Sequence, residues 1–168
     1  AVRSGCGLVY LGVPESIWAV EAEKCVSAMP FPLPEKNGLL SDKALQQILE
    51  KLDICDVLAL GPGLGRSDRV TRLACDLLRQ TEKPVVLDAD GINALEGHID
   101  VLDARRGRVT ILTPHDGEFA RIGGDLSGGD RLAAARNFAA AHGCTLVRTG
   151  HPTVTVGPLS YTHPTLPP

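Results

Sequence analysis

The sequence predicts an α/β protein in which helices cover both faces of a mostly parallel β-sheet. Several short runs are apolar throughout, among them residues 57–60, 84–87 and 109–112, as expected of strands that are buried on both faces. Amphipathic helical patterns separate these runs, and such an alternation of strands and helices is typical of parallel sheets. The 168 residues are enough for about one domain.

Local patterns along the chain predict the individual elements. Apolar or β-branched runs predict strands over residues 8–13, 57–60, 84–87, 109–112, 145–148 and 153–156. The prolines within residues 27–34 predict an extended or edge segment. Apolar residues that recur on one face predict helices over residues 15–24, 42–51, 67–80, 91–95, 115–122 and 130–142. Ser41 is expected to cap the second of these helices.

The composition excludes several classes of protein. Apolar residues make up 43% and charged residues 22%, which is ordinary for a globular protein and excludes intrinsic disorder. The longest apolar stretches are far too short to cross a bilayer. A net charge of −3 without a basic cluster argues against nucleic acid as the main partner. The five cysteines form no closely spaced pair, so we expect buried free thiols in a reducing cytoplasm.

Glycine or polar residues follow four of the predicted strands, in residues 61–65, 88–93, 113–118 and 149–153. Parallel strands end at the same edge of a sheet, and ligands of α/β proteins bind there. We therefore expect these four loops to form the functional site.

The glycine loop, residues 61–65, has two interpretations. Its spacing fits neither a Walker P-loop nor the Gly-x-Gly-x-x-Gly motif. Gly61 and Gly63 would let a phosphate, a ribose or a ring approach the backbone closely. A tight turn between a strand and a helix explains the same glycines.

The polar residues of the next two loops have structural alternatives as well. Asp88 and Asp90 are placed to hold Mg²⁺ through water, or one of them caps the short helix that follows. A neutral His115 can bond a ligand amide or hydroxyl, or it serves only to start a helix. Glu118 falls in the first turn of that helix, where the helix dipole favours a carboxylate in any case.

Three motifs in order, GPGLG, VVLDADGINAL and ILTPHDGEFARI, carry a family resemblance. They resemble the ADP/ATP-dependent NAD(P)H-hydrate dehydratases, which form the C-terminal domain of bifunctional NAD(P)H-hydrate repair enzymes. The resemblance covers about residues 1–156 and implies a three-layer α/β/α, ribokinase-like fold. It also implies metabolite repair. ADP or ATP, with Mg²⁺, activates the hydroxyl of (S)-NAD(P)H-hydrate, and elimination then restores NAD(P)H.

The resemblance also assigns candidate site residues. The hydrated cofactor is expected on Gly61, Gly63, Asp90, Asn93, His115, Glu118 and Arg121, and the adenine nucleotide on Thr149, Gly150, His151, Pro152 and Thr153. The family has Lys-Gly where this chain has Thr149-Gly150, which removes a cation near the nucleotide phosphates. We further expect a cytoplasmic homo-oligomer that binds neither nucleic acid nor membrane, with an epimerase domain fused upstream as a further possibility.

The chain is expected to be a fragment of such a domain, truncated at both ends. It begins without Met, and its 168 residues lack the family's Gly-x-Gly-Asp motif, whose aspartate acts as the catalytic base. We expect residues 1–158 to be a partial dehydratase domain, residues 159–168 to be a non-native tail, and the chain itself to be inactive. Two other functions stay open: a small-molecule kinase of the hydroxymethylpyrimidine or thiazole type, and a non-catalytic nucleotide-binding module.

Overall fold

The computed structural model describes residues 1–158, so the expectation of a non-native tail over residues 159–168 lies outside the described residues. The strands are β1 (Tyr10–Pro14), β2 (Met29–Leu33), β3 (Glu35–Lys36), β4 (Leu39–Leu40), β5 (Leu58–Leu60), β6 (Val85–Leu87), β7 (Thr110–Leu112), β8 (Thr145–Arg148) and β9 (Val154–Val156). The α-helices are α1 (Trp18–Lys24), α2 (Ala44–Leu52), α3 (Asp68–Gln80), α4 (Asp90–Asn93), α5 (Asp100–Ala104), α6 (Asp116–Arg121) and α7 (Arg131–His142).

The main sheet has five strands in the order β5-β6-β7-β8-β9. The first four strands are parallel and β9 is antiparallel to β8, which confirms the prediction of a mostly parallel sheet. Leu60 is paired with Leu87, and Leu87 with Leu112. This register places the carboxyl ends of neighbouring strands side by side.

The core of the protein lies between this sheet and the helices. Leu87, Leu112 and Leu146 of the central strands are completely buried. Apolar side chains from α3 to α7 join them in one cluster, in which the rings of Phe119 and Phe138 meet edge to face at 5.3 Å. Because the core fixes the strands, it also fixes the loops that leave their carboxyl ends.

Strands β1 to β4 do not join the main sheet, although the sequence predicts a single sheet. Parallel β1 and β2 form one separate pair, and antiparallel β3 and β4 form another. Pro30 and Pro32 lie within β2 and lack the N–H group that further pairing needs. The β3–β4 turn, which the sequence analysis does not anticipate, has positive φ angles at Asn37 and Gly38, as a two-residue hairpin loop requires.

Two local predictions are wrong. The Ser41 hydroxyl donates to the Pro34 carbonyl (3.1 Å) and does not cap α2, whose N-cap residue is Lys43. The cysteines are free, but only Cys75 and Cys144 are buried, whereas Cys6 is exposed. Burial raises the pKa of the Cys144 thiol to about 12, which keeps it protonated at neutral pH.

No helix in the described part of the chain has the length and apolarity needed to cross a membrane.

Candidate functional site

The site predicted from the sequence falls on one edge of the main sheet. The twelve predicted site residues follow β5, β6, β7 and β8. Most lie in the loops after these strands, and the others lie in helices α4 and α6, which come directly after two of the loops. The structure thus places these residues side by side, as a parallel sheet requires. The contacts among them define three groups: the glycine loop with α4, the start of α6, and the loop after β8.

The two glycines of the first loop have different surroundings. Gly61 is buried with a φ of 136°, and a Cβ atom added there would lie 1.7 Å from the Asp88 carbonyl oxygen. The backbone conformation that only glycine adopts easily therefore allows a tight turn, in which Gly61 packs against the β6–α4 loop. Gly63 has a φ of 73° and is exposed, and no described residue comes within 4 Å of a Cβ built there. This second glycine leaves room for a ligand beside the backbone.

Asp90 joins the glycine loop to two helices. Its carboxylate accepts hydrogen bonds from the Gly65 N–H (3.0 Å), the Arg66 Nε (3.2 Å) and the Asn93 Nδ2 (3.1 Å). Asn93 in turn accepts a hydrogen bond from the Arg121 guanidinium at the end of α6. The interpretation that Asp88 or Asp90 caps α4 is wrong, because the N-cap residue is Ala89 without a side-chain cap and the Asp90 carboxylate reaches back to the glycine loop.

The hydrogen bonds to Asp90 also make stability depend on pH. Burial raises the pKa of Asp90, but the hydrogen bonds from Asn93, Gly65 and Arg66 outweigh it, so the pKa lies below its ordinary value. A carboxyl group with a lower pKa in the folded chain stabilises the fold above its unfolded-state pKa. That stabilisation disappears as the pH falls through the folded-state value.

Asp90→Asn is therefore expected to lower the free energy of unfolding by about 1 kcal/mol at neutral pH. The difference from the wild type should shrink as the pH falls below about 4. Urea unfolding over a series of pH values measures the loss of stability and its dependence on pH. Asp76→Asn, which removes an exposed pair with Arg79 (3.6 Å), is the control and should change stability by less than about 0.5 kcal/mol. A difference for Asp90→Asn that stays constant down to the acid limit would contradict this explanation.

His115 and Glu118 start helix α6 together. The His115 Nδ1 accepts hydrogen bonds from the N–H groups of Gly117 (3.0 Å) and Glu118 (3.4 Å). The Glu118 carboxylate accepts one from the backbone N–H of His115 (3.0 Å), which completes a capping box. The structural alternative for His115 is thereby confirmed. Since Nδ1 is an acceptor, the ring proton lies on Nε2, and the side chain, 63% exposed, can still donate to a ligand.

Asp116 belongs to the same loop, and the sequence predicts it in the site only as a member of residues 113–118, without a role of its own. Its carboxylate accepts hydrogen bonds from Arg131 and from the Nε of Arg148 (2.9 Å). The bond from Arg131 is the largest influence on the pKa of Asp116, and together with Arg148 it outweighs desolvation and lowers that pKa. Its place in the third motif was a signal for Asp116, but no sequence pattern links it to either arginine.

The predicted nucleotide loop, residues 149–153, is exposed between β8 and β9. Its first residue is tied to the α6 loop, because the N–H of Thr149 donates to the Pro114 carbonyl (2.9 Å). The Thr153 hydroxyl closes the loop on the Gly150 carbonyl (3.2 Å), and the His151–Pro152 peptide bond is cis.

Two depressions flank these loops, and neither of them contains all of the predicted residues. One of about 280 Å³ contains Asp90 and Asn93 and extends along the start of α3. The other, about 580 Å³, lies between the start of α7 and the loop after β8, and Pro152 lines it. His115 and Gly63 line neither of them.

Residues 1–158 contain no group of three His, Cys, Asp or Glu side chains that could hold a metal ion alone. At the predicted water-mediated Mg²⁺ site, both Asp90 oxygens already accept hydrogen bonds within the protein, so Asp88 is the carboxylate with more acceptor positions left. One oxygen of Asp88 accepts the N–H of Ala89 (2.9 Å).

Solved structures define the fold as ribokinase-like. A ribokinase-like superfamily protein of Enterococcus faecalis superposes with a TM-score of 0.76 at 20% identity, over 93% of this chain and 52% of that protein. An ADP/ATP-dependent NAD(P)H-hydrate dehydratase of Bacillus subtilis, crystallised with ATP and Mg²⁺, superposes with a TM-score of 0.64 at 24% identity, over 94% of this chain and 54% of that protein.

Sequence comparisons identify the family. Bifunctional NAD(P)H-hydrate repair enzymes of Salinibacter ruber and Moorella thermoacetica are each 39% identical, over 96% and 94% of this chain. The profile of the NAD(P)H-hydrate dehydratases matches residues 1–163. The chain therefore belongs to the NAD(P)H-hydrate dehydratase family. It spans about 30% of the length of these two curated relatives.

Proposed function

We propose that the protein to which this chain belongs converts (S)-NAD(P)H-hydrate back to NAD(P)H in a reaction that consumes ADP or ATP. The observation that carries the proposal is the network from the glycine loop through Asp90 and Asn93 to Arg121, which joins the three family motifs at one sheet edge. The bifunctional relatives support the same activity.

The chemistry of the proposed reaction needs an activated leaving group. Hydroxide leaves poorly, so phosphorylation of the added hydroxyl by the nucleotide makes phosphate the leaving group. Phosphate departs with the C–O bonding electrons while a proton leaves the neighbouring carbon, and the double bond of the reduced nicotinamide is restored. A base must first take the hydroxyl proton. We assign that role to no residue of this chain, because its 168 residues lack the Gly-x-Gly-Asp motif.

We assign the two ligands to neighbouring loops. Open space beside Gly63 and the exposed His115 ring, whose Nε2 lies 3.6 Å from the Glu118 carboxylate, suit the hydrated nicotinamide, whose amide and hydroxyl need hydrogen-bond partners. The Arg121 side chain, which binds Asn93 and pairs with Glu96 (3.8 Å), adds a cation next to α4. The loop 149–153 would hold the adenine nucleotide, with the depression beside Pro152 as the space next to it.

A Mg²⁺ ion fits this proposal as a companion of the nucleotide phosphates. Magnesium keeps several of its waters and usually takes only one or two protein carboxylates. Asp88, at the end of β6, is the carboxylate that would reach such an ion through water. The ion would supply charge neutralisation for the transferred phosphoryl group.

We expect the 168-residue chain to bind hydrated NADPH more tightly than intact NADPH, to bind ADP or ATP, and to regenerate no NADPH. Titration calorimetry measures binding, and the absorbance band of reduced nicotinamide measures turnover. A purified bifunctional relative serves as the positive control for turnover. Turnover by the chain would contradict the expectation that it lacks the catalytic base. Failure to bind either ligand would contradict the proposed function.

The same samples separate the other functions. Phosphorylation of a pyrimidine alcohol would indicate a small-molecule kinase, which the family assignment does not favour. Nucleotide binding without any preference for the hydrate would indicate a non-catalytic module. We also propose that the protein works in the cytoplasm as a homo-oligomer, and that an epimerase domain accompanies it; the curated relatives are bifunctional, which supports a second domain.

A further inference from the structure

Three side chains form an ion cluster beside the predicted site, with Asp116 between Arg131 and Arg148. Asp116 is the first residue of α6, Arg131 is the first residue of α7, and Arg148 is the last residue of β8. One carboxylate oxygen accepts the Arg148 Nε (2.9 Å) and the other accepts Arg131. The cluster therefore connects three elements at the sheet edge.

Arg148 is the fixed member of this cluster. Only 3% of its side chain is exposed, and its guanidinium lies over the Phe119 ring, 4.6 Å from the centroid. A buried cation needs a charged partner, because an uncompensated charge is strongly destabilising. Asp116 supplies that partner, so the start of α6 is held to the end of β8.

Arg131 extends the cluster to the predicted nucleotide loop. Its Nη2 donates to the Thr149 carbonyl (3.2 Å) while its Nη1 binds Asp116. Gly150 packs closely against the same nitrogen, since a Cβ atom added there would lie 2.6 Å from Nη2. One guanidinium thus touches both the loop that starts α6 and the loop after β8.

The two loops also touch directly. The N–H and the hydroxyl of Thr149 both donate to the Pro114 carbonyl, at 2.9 and 3.4 Å. A displacement of either loop must therefore move the other or break the contacts of Arg131. Such a shared contact gives two neighbouring binding sites a direct physical route for coupling.

We propose that the Asp116–Arg131–Arg148 cluster is a positioning unit that couples binding of the hydrated cofactor at the α6 loop to binding of the nucleotide at the loop after β8. The inference rests on the proposed function, which assigns one ligand to each loop. Each ligand then strengthens contacts that the ligand-free chain already makes, so the second ligand binds to a loop that is held more firmly. By linkage, each raises the affinity of the other by the same factor.

The test is the coupling factor, which a purely structural role would leave unchanged. The Kd of ADP is measured by titration calorimetry without hydrated NADPH and at its saturation, and the Kd of hydrated NADPH is measured in the reciprocal way. For the wild-type chain we expect both ratios to agree and to be about 5-fold or more. In Asp116→Asn the ratio should fall towards 1, while each ligand alone binds with a smaller change.

Arg131→Lys is the second variant, and it keeps the cation and the fold. A single ammonium cannot reach Asp116 and the Thr149 carbonyl with the fixed geometry of the guanidinium fork, so the ratio should fall here too. Asp100→Asn is the matched control. It removes an exposed pair with Arg79 (3.2 Å) between α3 and α5 and should keep the wild-type ratio.

Three results would overturn the inference, and they are distinguishable. A wild-type ratio in Arg131→Lys means that the cluster carries no coupling. A ratio of 1 in the wild-type chain, with both ligands bound, removes the inference and leaves the proposed function standing. Absence of binding by either ligand to the wild-type chain removes both.

Discussion

Gly61→Ala is expected to destabilise the chain by about 4 kcal/mol, which is a large part of the free energy of unfolding of a typical domain. The new methyl group would stand 1.7 Å from the Asp88 carbonyl oxygen and 2.7 Å from the Gly91 nitrogen, and both of these atoms are backbone. Neither can move without disturbing the β6–α4 turn. The φ of 136° at Gly61 adds strain for any residue with a side chain.

Gly63→Ala is the matched control in the same loop. Its φ of 73° is also positive, but no described residue lies within 4 Å of the new methyl group, so we expect a loss of about 1 kcal/mol. Urea unfolding followed by circular dichroism compares the two variants. Equal losses would show that backbone conformation alone determines the cost and would contradict the steric explanation.

Arg105→Met is expected to lower the free energy of unfolding by about 3 kcal/mol. Arg105 is 1% exposed and donates to the carbonyls of Leu78 and Thr81, both at 2.7 Å, and of Lys83 at 2.9 Å. Its Nε donates to the Thr110 hydroxyl (3.0 Å). The carbonyls at the end of α3 have no partners within the helix, so methionine would leave them buried and unsatisfied.

Arg108→Met is the control for this second prediction. Arg108 is half-buried, pairs with the exposed Glu82 (2.7 Å) and donates to the Arg79 carbonyl at 3.4 Å, and we expect its replacement to change stability by less than about 1 kcal/mol. Thermal unfolding of both variants measures the difference. A loss for Arg105→Met no greater than that for Arg108→Met would show that the buried guanidinium contributes nothing specific to the fold.

The position of the candidate site was predictable because it depends only on the order of strands and loops along the chain. Apolar runs mark strands, and in a parallel sheet each following loop falls on the same edge. Knowing that Asp90, His115 and Thr149 each follow a strand was therefore enough to group them. Their hydrogen-bond partners depend on side-chain geometry, which spacing along the chain does not contain.

The residues that the sequence analysis missed have in common a partner far along the chain. Asp116 and Arg131 are 15 positions apart in different helices, and no periodicity relates them. Arg105 stands next to Arg106 and two positions before Gly107-Arg108, and arginine side chains are mostly exposed in folded proteins. Only the packing of α5 against α3 shows that one of these three arginines is buried.

The β3–β4 hairpin was missed for a different reason. Asn37-Gly38 is a strong turn signal, but each flanking strand has only two residues, too few for an alternating pattern. The separation of β1 and β2 from the main sheet was likewise hidden, because an apolar run indicates a strand without naming its neighbours.

Hydrogen–deuterium exchange, with and without each ligand, tests the central claim that one sheet edge binds the hydrated cofactor and the nucleotide on neighbouring loops. Hydrated NADPH should slow exchange in residues 63–65 and 117–121 more than intact NADPH does. ADP should slow exchange in residues 150–153. Protection by both ligands on the same loop, or protection confined to residues away from this edge, would contradict the account.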